Sequence, residues 1–494
     1  MAKKEKAGKK SKDVEDVKKK KRKVSEADDD GSDAFNPYEE FNQVLDDVAL
    51  KMSDADTLDD VQPMSTGSLV LDIILGGGIR PAMYTNFGPE QSAKTTAALL
   101  VMASAIKTNV PIISLRDFEG STGNSIPYVS QILKTMGIKM TKEDLFGKRD
   151  DKTGKWAVRP RVRYSANTMG VSFFNWFAAT LRRLPDKKML NKEWWLVYED
   201  TKENQKYAEY GDKTMPKKYG KGIYIKAPDA GLQGLVIVDS YPNMNPDTKD
   251  EDQVDNSLAL QARMFSKNLP RVKGYLAPKK VALVGINQLR DVPMAMFGPK
   301  EAEPGGKALR FNSDVRLRWY PRALSAIPLW PKAAEKGGKE IEPCLAGGKD
   351  RYKYMHVKAA KNKLSESDRE GFIRIWAKDG QGVAHGIDPV FDTMLYLRQT
   401  GQLEGKKRAD LRLVWDGKHK GKSMDWMDFK KWILGSKEDM AKMSKKAGAP
   451  KPMNLRAACF KQMRSGRGEE LFKAYEEAQD SGKKDRDDDG GDDE

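Results

Sequence analysis

Residues 88–95 read Gly-Pro-Glu-Gln-Ser-Ala-Lys-Thr, and their types and spacing suit the holding of phosphate. They fit the phosphate-binding loop G-x-x-x-x-G-K-[ST] at every fixed position but one. Backbone N–H groups of such a loop, with the helix N-terminus that follows, point at the phosphates of a nucleotide such as ATP. Gly88, Pro89, Glu90, Gln91 and Ser92 would form the cradle, Lys94 would supply a point charge, and Thr95 would give its hydroxyl to Mg²⁺. Ala93 replaces the second glycine. This is tolerable if the residue has negative φ and costly if it needs positive φ. A Gly-rich turn before an apolar helix is the bland alternative for this loop alone.

Two carboxylates could complete the chemistry. Gly234-Leu-Val-Ile-Val-Asp239-Ser240 puts an acid at the end of an apolar strand, where it can order the Mg²⁺ water shell beside the loop threonine. Asp117-Phe118-Glu119 ends another strand, and Glu119 is the candidate to polarise an attacking water. The alternative for Glu119 is a carboxylate that merely begins a helix.

The elements that must position these groups are legible as hydrophobic runs. Pro111–Leu115, Gly234–Val238 and Val281–Ile286 are nearly continuous apolar stretches, as expected of parallel strands covered on both faces. From about Met64 to His385 they alternate with helical patterns, so the expected class is α/β with a mostly parallel sheet. Residues 186–228 break the pattern and read as an inserted surface element, and 322–350 is a second polar, Gly/Pro-rich excursion. Phe41, Val44, Leu45, Val48 and Met52 share one face of a short helix over 37–52. Beyond Asp388 the chain is helical and basic, with Trp415, Trp426 and Trp432.

Charge and composition narrow the partners. The 494 residues carry 88 Lys+Arg against 72 Asp+Glu, a formal net charge of +16 that makes a polyanion plausible. Two cysteines and three histidines argue against a disulfide framework or a structural zinc site. No apolar run of about 18 residues predicts a membrane span, and the lysine-rich N-terminus lacks the apolar core of a secretory signal. Residues 1–34 are highly charged and read as disordered. Within them 18–24, Lys-Lys-Lys-Lys-Arg-Lys-Val, looks like a nuclear import signal or a solvated basic arm. The last ten residues hold seven acids against one arginine.

An ordered set of motifs resembles the bacterial RecA recombinase family. It runs from Ser65-Thr-Gly-Ser-Leu-Val-Leu-Asp72 and Leu75-Gly-Gly-Gly78 through the phosphate loop and Asp117-Phe-Glu119. It continues with Val238-Asp239-Ser240, Leu260-Gln-Ala-Arg263-Met-Phe-Ser266, Ile286-Asn-Gln-Leu-Arg290 and Met296-Phe-Gly298. Gly305-Gly-Lys-Ala-Leu-Arg-Phe311, Val315-Arg-Leu317 and Lys361-Asn-Lys363 complete it. The likeness covers roughly 64–140, 155–185, 233–320 and 352–390. The 186–228 insert, the 322–350 segment and Ala93 depart from the bacterial pattern and suggest a divergent, phage-type member.

The resemblance implies roles for these positions. Lys94, Thr95 and Thr96 would hold phosphates and Mg²⁺, Tyr128 would stack on adenine, and Gln288 would sense the γ-phosphate. Lys361 and Lys363 match a pair that reaches ATP across a subunit interface, against the alternative of a solvated basic strand. Two loops, Pro242 to Ser257 and Asp291 to Lys307, would grip single-stranded DNA. Arg263, Ser266, Arg271, Arg290, Gly305, Gly306 and Lys307 are the matching or near-matching positions. Arg271 is offset by one from the family arginine because Pro270 occupies that place, and Val292, Met294 and Met296 are candidates for the apolar wedge between bases.

The expected organisation is a charged tail (1–34), an N-terminal polymerisation helix and linker (35–63), a RecA-like ATPase core (64–385), a C-terminal domain (386–478) and an acidic tail (479–494). The expected activity is DNA-dependent ATP hydrolysis by a helical filament that pairs homologous DNA and exchanges strands. The setting is the cytoplasm, and the partners are single-stranded and duplex DNA, further copies of the chain, and single-strand-binding or loader proteins. The alternatives are a ring helicase or motor ATPase on the same fold, and a DNA-coating filament that does not hydrolyse ATP.

Overall fold

The computed structural model describes residues 62–120, 126–185, 187–190, 193–202, 204–205, 208, 221–226, 231–246, 257–291, 301–322, 350–378, 386–405, 410–414, 420–449 and 452–465. The expected helix at 37–52, both charged tails and the wedge candidates Val292, Met294 and Met296 lie outside these residues. So do nearly all of 322–350, most of the first expected DNA loop and the middle of the second.

In chain order the core opens with α1 (Leu69–Leu75), capped by the Ser68 hydroxyl, which accepts from Leu71 N, and closed by Gly76 at φ 72°. β1 (Met83–Gly88) leads into α2 (Lys94–Lys107), an alanine- and leucine-rich run with nearly every residue buried. β2 (Ile112–Asp117), α3 (Ile126–Thr135), β3 (Arg163–Ser165) and α4 (Gly170–Arg183) follow. Next come β4 (Lys187–Leu190), β5 (Glu193–Tyr198), β6 (Ile223–Lys226), β7 (Gly234–Asp239), α5 (Ser257–Leu276) and β8 (Val281–Gln288). After α6 (Lys307–Asn312), β9 (Val315–Arg322), β10 (Asp350–Asn362), β11 (Glu370–Lys378) and β12 (Gly386–Ile387) extend the sheet. The remaining helices are α7 (Pro389–Gln399), α8 (Trp426–Leu434), α9 (Lys437–Lys446) and α10 (Leu455–Ser465).

The nine-stranded sheet has the order β12-β11-β10-β9-β1-β8-β7-β2-β3. Strands β9 through β3 in that order pair parallel, and β10, β11 and β12 add antiparallel. The three apolar runs of the sequence are thus β2, β7 and β8 at the sheet centre. Their side chains alternate between two cores. Ile113, Leu115, Leu235, Ile237, Ala282 and Val284 join one with α1 and α2, while Ile112, Val236, Val238, Val281 and Leu283 join the other with α4 and α5. A period of two with both faces apolar is what a parallel sheet between helix layers requires.

Two expectations are refined. The 186–228 stretch carries β4, β5 and β6 as an antiparallel sheet, and Leu196, Tyr198, Ile223 and Ile225 are buried in the α4/α5 core. It is therefore more than a surface excursion. Its strands alternate over too few residues to stand out against the lysines and tyrosines around them. Beyond β12, Phe391, Trp432 and Cys459 share the core that holds α1 and α2. Asp392 on α7 ties this region down: it accepts from Ser68 Oγ (2.7 Å) and Leu69 N (2.9 Å) at the α1 start, and pairs with Arg456 of α10 (2.8 Å). No described helix is long and apolar enough to cross a membrane.

Candidate nucleotide and nucleic-acid site

The parallel strands β1, β8, β7 and β2 end side by side. Gly88 pairs with Gln288, and Asp117 with Asp239, so the loop, the amide and two acids meet at one sheet edge. Gly88 is there for space: a Cβ on it would stand 2.3 Å from the Trp319 carbonyl oxygen. The loop then turns through two left-handed non-glycine residues, Gln91 (φ 56°) and Ala93 (φ 63°). Ala93 thus takes the costly conformation at the position where the phosphate-loop pattern has glycine. It is the cap of α2 and makes no side-chain cap bond.

Lys94 is buried, and its Nζ donates to Gly88 O (3.0 Å), Pro89 O (2.5 Å) and Ser92 Oγ (3.0 Å). The ammonium is therefore folded back into the loop it would share with a phosphate. Burial brings it down to about 8, against the opposing pull of Asp239, Glu119 and Glu90. Thr95 Oγ1 donates to Asp239 Oδ2 at 2.9 Å, while Asp239 Oδ1 is buried with no hydrogen-bond partner. Burial raises the Asp239 carboxyl to about 7, the Thr95 bond working against it. An orphaned carboxylate oxygen beside a hydroxyl fits a hard cation that takes few protein oxygens and completes its shell with water and phosphate. Glu119 is exposed two residues past the Asp117–Asp239 pair, with its N–H on Asp239 O (3.1 Å). Its charge reaches both Lys94 and Asp239.

Thr96 Oγ1 and the Tyr128 hydroxyl are hydrogen-bonded, so Tyr128 stands against the first turn of α2 and is half-buried over the core. Gln288 is part-buried, and the next residue, Leu289, returns its N–H to Gly88 O (3.0 Å). Lys361 and Lys363 are elsewhere. Lys361 pairs with Arg316 near the start of β9, and Lys363 N bonds Asp314 O, at the end of the sheet opposite the phosphate loop. Lys361 Nζ donates to Arg310 O (2.9 Å) and Phe311 O (3.1 Å). Neither lysine is brought to Lys94 within one chain.

The expected DNA contacts separate into two groups. Arg263 and Ser266 are exposed on the first half of α5, and Gly305 and Gly306 pack there against Phe265 and Ala262, with Lys307 exposed beside them. Arg290 sits in a two-residue antiparallel ladder, Arg290–Asp291 with Glu301–Ala302, that closes the base of the second loop. Arg271 lies apart, two turns further along α5, where Nη1 donates to Asn175 Oδ1 of α4 (2.9 Å).

Sequence reasoning missed three features. Glu303 pairs with Arg316, and Glu301 with Arg318 (2.5 Å), tying the returning arm of the second loop to β9. The signal was Arg316 and Arg318 two apart in an otherwise buried strand, which puts both on one face and calls for partners. The second is Phe311, 67% exposed beside Lys361. The third is a basic cavity at the far edge of the sheet, assembled from segments too distant in sequence to be read as one site.

Comparison with known proteins points one way. A family model described as the RecA N-terminal domain matches residues 224–325, which include Asp239, Gln288 and the Gly305–Phe311 segment but not the phosphate loop. Protein RecA of Streptococcus agalactiae serotype III (strain NEM316) is 29% identical over 325 residues, covering 65% of this chain and 62% of that protein. Protein RecA of Streptococcus gordonii is 27% identical over 325 residues and that of Lactococcus lactis subsp. cremoris (strain MG1363) 26% over 324, each at 65% of this chain and 61% of the relative. The chain spans a little over three fifths of the length of these relatives.

Proposed function

The chain is a RecA-family protein, and on that premise we propose that it is a DNA-dependent ATPase that polymerises on single-stranded DNA and exchanges strands with a homologous duplex. The observation that carries this reading is the shared sheet edge. Gly88, Asp239 and Gln288 end adjacent strands, the loop after Gly88 brings Lys94 and Thr95 to the same edge, and the strand bearing Gln288 runs on into the loop whose return packs on Ala262 and Phe265, the neighbours of Arg263 in α5.

Within the site, Lys94 would exchange its carbonyl partners for the β- and γ-phosphates, and the α2 N-terminus would face the same charge. Asp239 and Thr95 would hold Mg²⁺, which when bound supplies positive charge to the phosphates. Glu119 would take the proton of the attacking water, and Gln288 would report the γ-phosphate to the second loop without titrating. Tyr128 would border the adenine. Arg263, Ser266, Arg290, Gly305, Gly306 and Lys307 would hold the strand by its phosphates, through cations and bare backbone N–H groups that carry no sequence information.

Lys361 and Lys363 would act on the ATP of a neighbouring copy, because their own phosphate loop is at the other end of the sheet. Burial, then the charge of Lys363, lowers the Lys361 pKa, which an incoming phosphate would reverse. The exposed Phe311 beside it is where such a neighbour would bury apolar surface. A filament of this kind works in the cytoplasm, with single-strand-binding and loader proteins as its further partners. Electron microscopy of the chain with single-stranded DNA and ATP tests the reading. An open helical filament supports it, and closed rings would support the motor ATPase instead. Steady-state ATPase measurement separates a turning-over enzyme from an inert coat.

A further inference from the structure

A cavity of about 590 Å³ lies at the far edge of the sheet, apart from the phosphate loop. Trp176, Thr180 and Arg183 line it from α4, Arg163 from the edge strand β3, and Lys202 and Asn204 from the turn after β5. Among the described residues that line it, Glu199 is the one carboxylate. Among the described residues, none of Arg163, Arg183 and Lys202 forms an ion pair. A fourth cation stands behind them: the Arg116 guanidinium lies 3.7 Å over the Trp176 ring, with its Nε buried and without a hydrogen-bond partner. Burial, and then the charge of Arg163, brings Arg116 down to about 10.

Packing alone gives no reason to gather these groups. Like charges beside an apolar wall repel, and Glu199 is too little to offset them. An anion would. The planar forks of arginine match phosphate oxygens in pairs, and arginine with tryptophan is the combination that holds a nucleotide by charge and stacking together. Thr180, Thr201 and Asn204 add neutral donors and acceptors suited to a sugar or a base edge. The volume falls in the range of about 300–1,000 Å³ typical of small-ligand sites.

We propose that this cavity is a second phosphate site, which takes a nucleoside phosphate unit with its base against Trp176 and its phosphate on Arg163 and Arg183. The unit arrives either as a free nucleotide or as part of a DNA strand. The site stands independently of the ATP site, since it shares no residue with it.

The test uses the full chain carrying Lys94→Ala, without ATP, so that the phosphate loop contributes little. A fluorescent oligothymidylate is titrated by anisotropy at several salt concentrations, and thymidine monophosphate by calorimetry. Both are repeated after Arg163→Glu with Arg183→Glu, exposed positions whose change should leave the unfolding midpoint in place. The control is Lys134→Glu with Lys155→Glu, also exposed and equal in charge change. If a strand occupies the site, oligonucleotide affinity falls at least tenfold below the control. The salt slope drops by about 0.7, the one phosphate that the two arginines share on a single strand. If a free nucleotide does, the monophosphate arm alone is lost. Affinities within twofold of the control in both arms would overturn the proposal, as would an equal loss in the control.

Discussion

Ala93→Gly is expected to leave the fold's stability within about 1 kcal/mol of the unaltered protein, unlike alanine-to-glycine changes elsewhere in the same helix. Ala93 has φ 63° and ψ 21°, a left-handed conformation that costs a residue with a Cβ about 1–2 kcal/mol. Glycine removes that cost. It also frees the unfolded chain, which costs about 0.4–1 kcal/mol, and gives up part of the roughly 0.8 kcal/mol of a buried methyl, because Ala93 only partly packs on the core. These contributions nearly cancel. Ala103 lies in the middle of α2 and is fully buried. Its change to glycine loses about 1 kcal/mol of helix propensity and about 0.8 kcal/mol of methyl burial with nothing in return, so about 2 kcal/mol. Urea unfolding at one pH, followed by circular dichroism, measures both. Equal destabilisation at 93 and 103 would refute the left-handed assignment at Ala93. A further change, Ala93→Val, should cost more than either, since a β-branched residue tolerates positive φ poorly.

Glu119→Gln should keep nucleotide and DNA binding while turnover falls by about two orders of magnitude, the lower end of general-base effects; equal loss of binding in a nucleotide titration would make Glu119 structural. Lys361→Ala mixed with Lys94→Ala should regain ATPase that neither has alone, because each copy supplies what the other lacks; no recovery, with both variants folded and filament-competent, would rule out action in trans. Asp388→Ala should destabilise by more than about 1 kcal/mol, since it removes both the carboxylate that pairs with the 2%-exposed Arg374 guanidinium and the side-chain cap of α7; a loss under 1 kcal/mol in the same urea assay would contradict a buried pair. Removing 485–494, outside the described residues, raises the formal net charge from +16 to +22. Duplex affinity should then tighten most at low salt, and unchanged affinity there would leave the tail a solubilising role only.

The centre of the fold was legible because its strands are continuous apolar runs, and only a sheet covered on both faces makes those. β2, β7 and β8 each appear within one or two residues of the expected boundaries. The phosphate loop was legible as spacing, but the backbone at Ala93 was not, since sequence left both signs of φ open. The 186–228 stretch hid its strands because β4, β5 and β6 are four to six residues each and separated by lysine-rich chain. Arg271 was grouped with Arg263 by motif, yet eight residues along a helix carry it about 12 Å away, to α4. The Arg163–Trp176–Lys202 cavity could not be read at all: its walls come from an edge strand, a helix and a turn, and only tertiary packing makes them neighbours.

In the proposed function, nucleotide binding at the Lys94–Asp239 edge drives homologous pairing. The most direct measurement is strand exchange between a circular single strand and a homologous linear duplex. It is run with ATP, with a non-hydrolysable analogue and with no nucleotide. Joint molecules are expected with both nucleotides, none without nucleotide or with Lys94→Ala, and none from a heterologous duplex. Pairing that proceeds without nucleotide, or an ATP-driven protein that only unwinds the duplex, would contradict it.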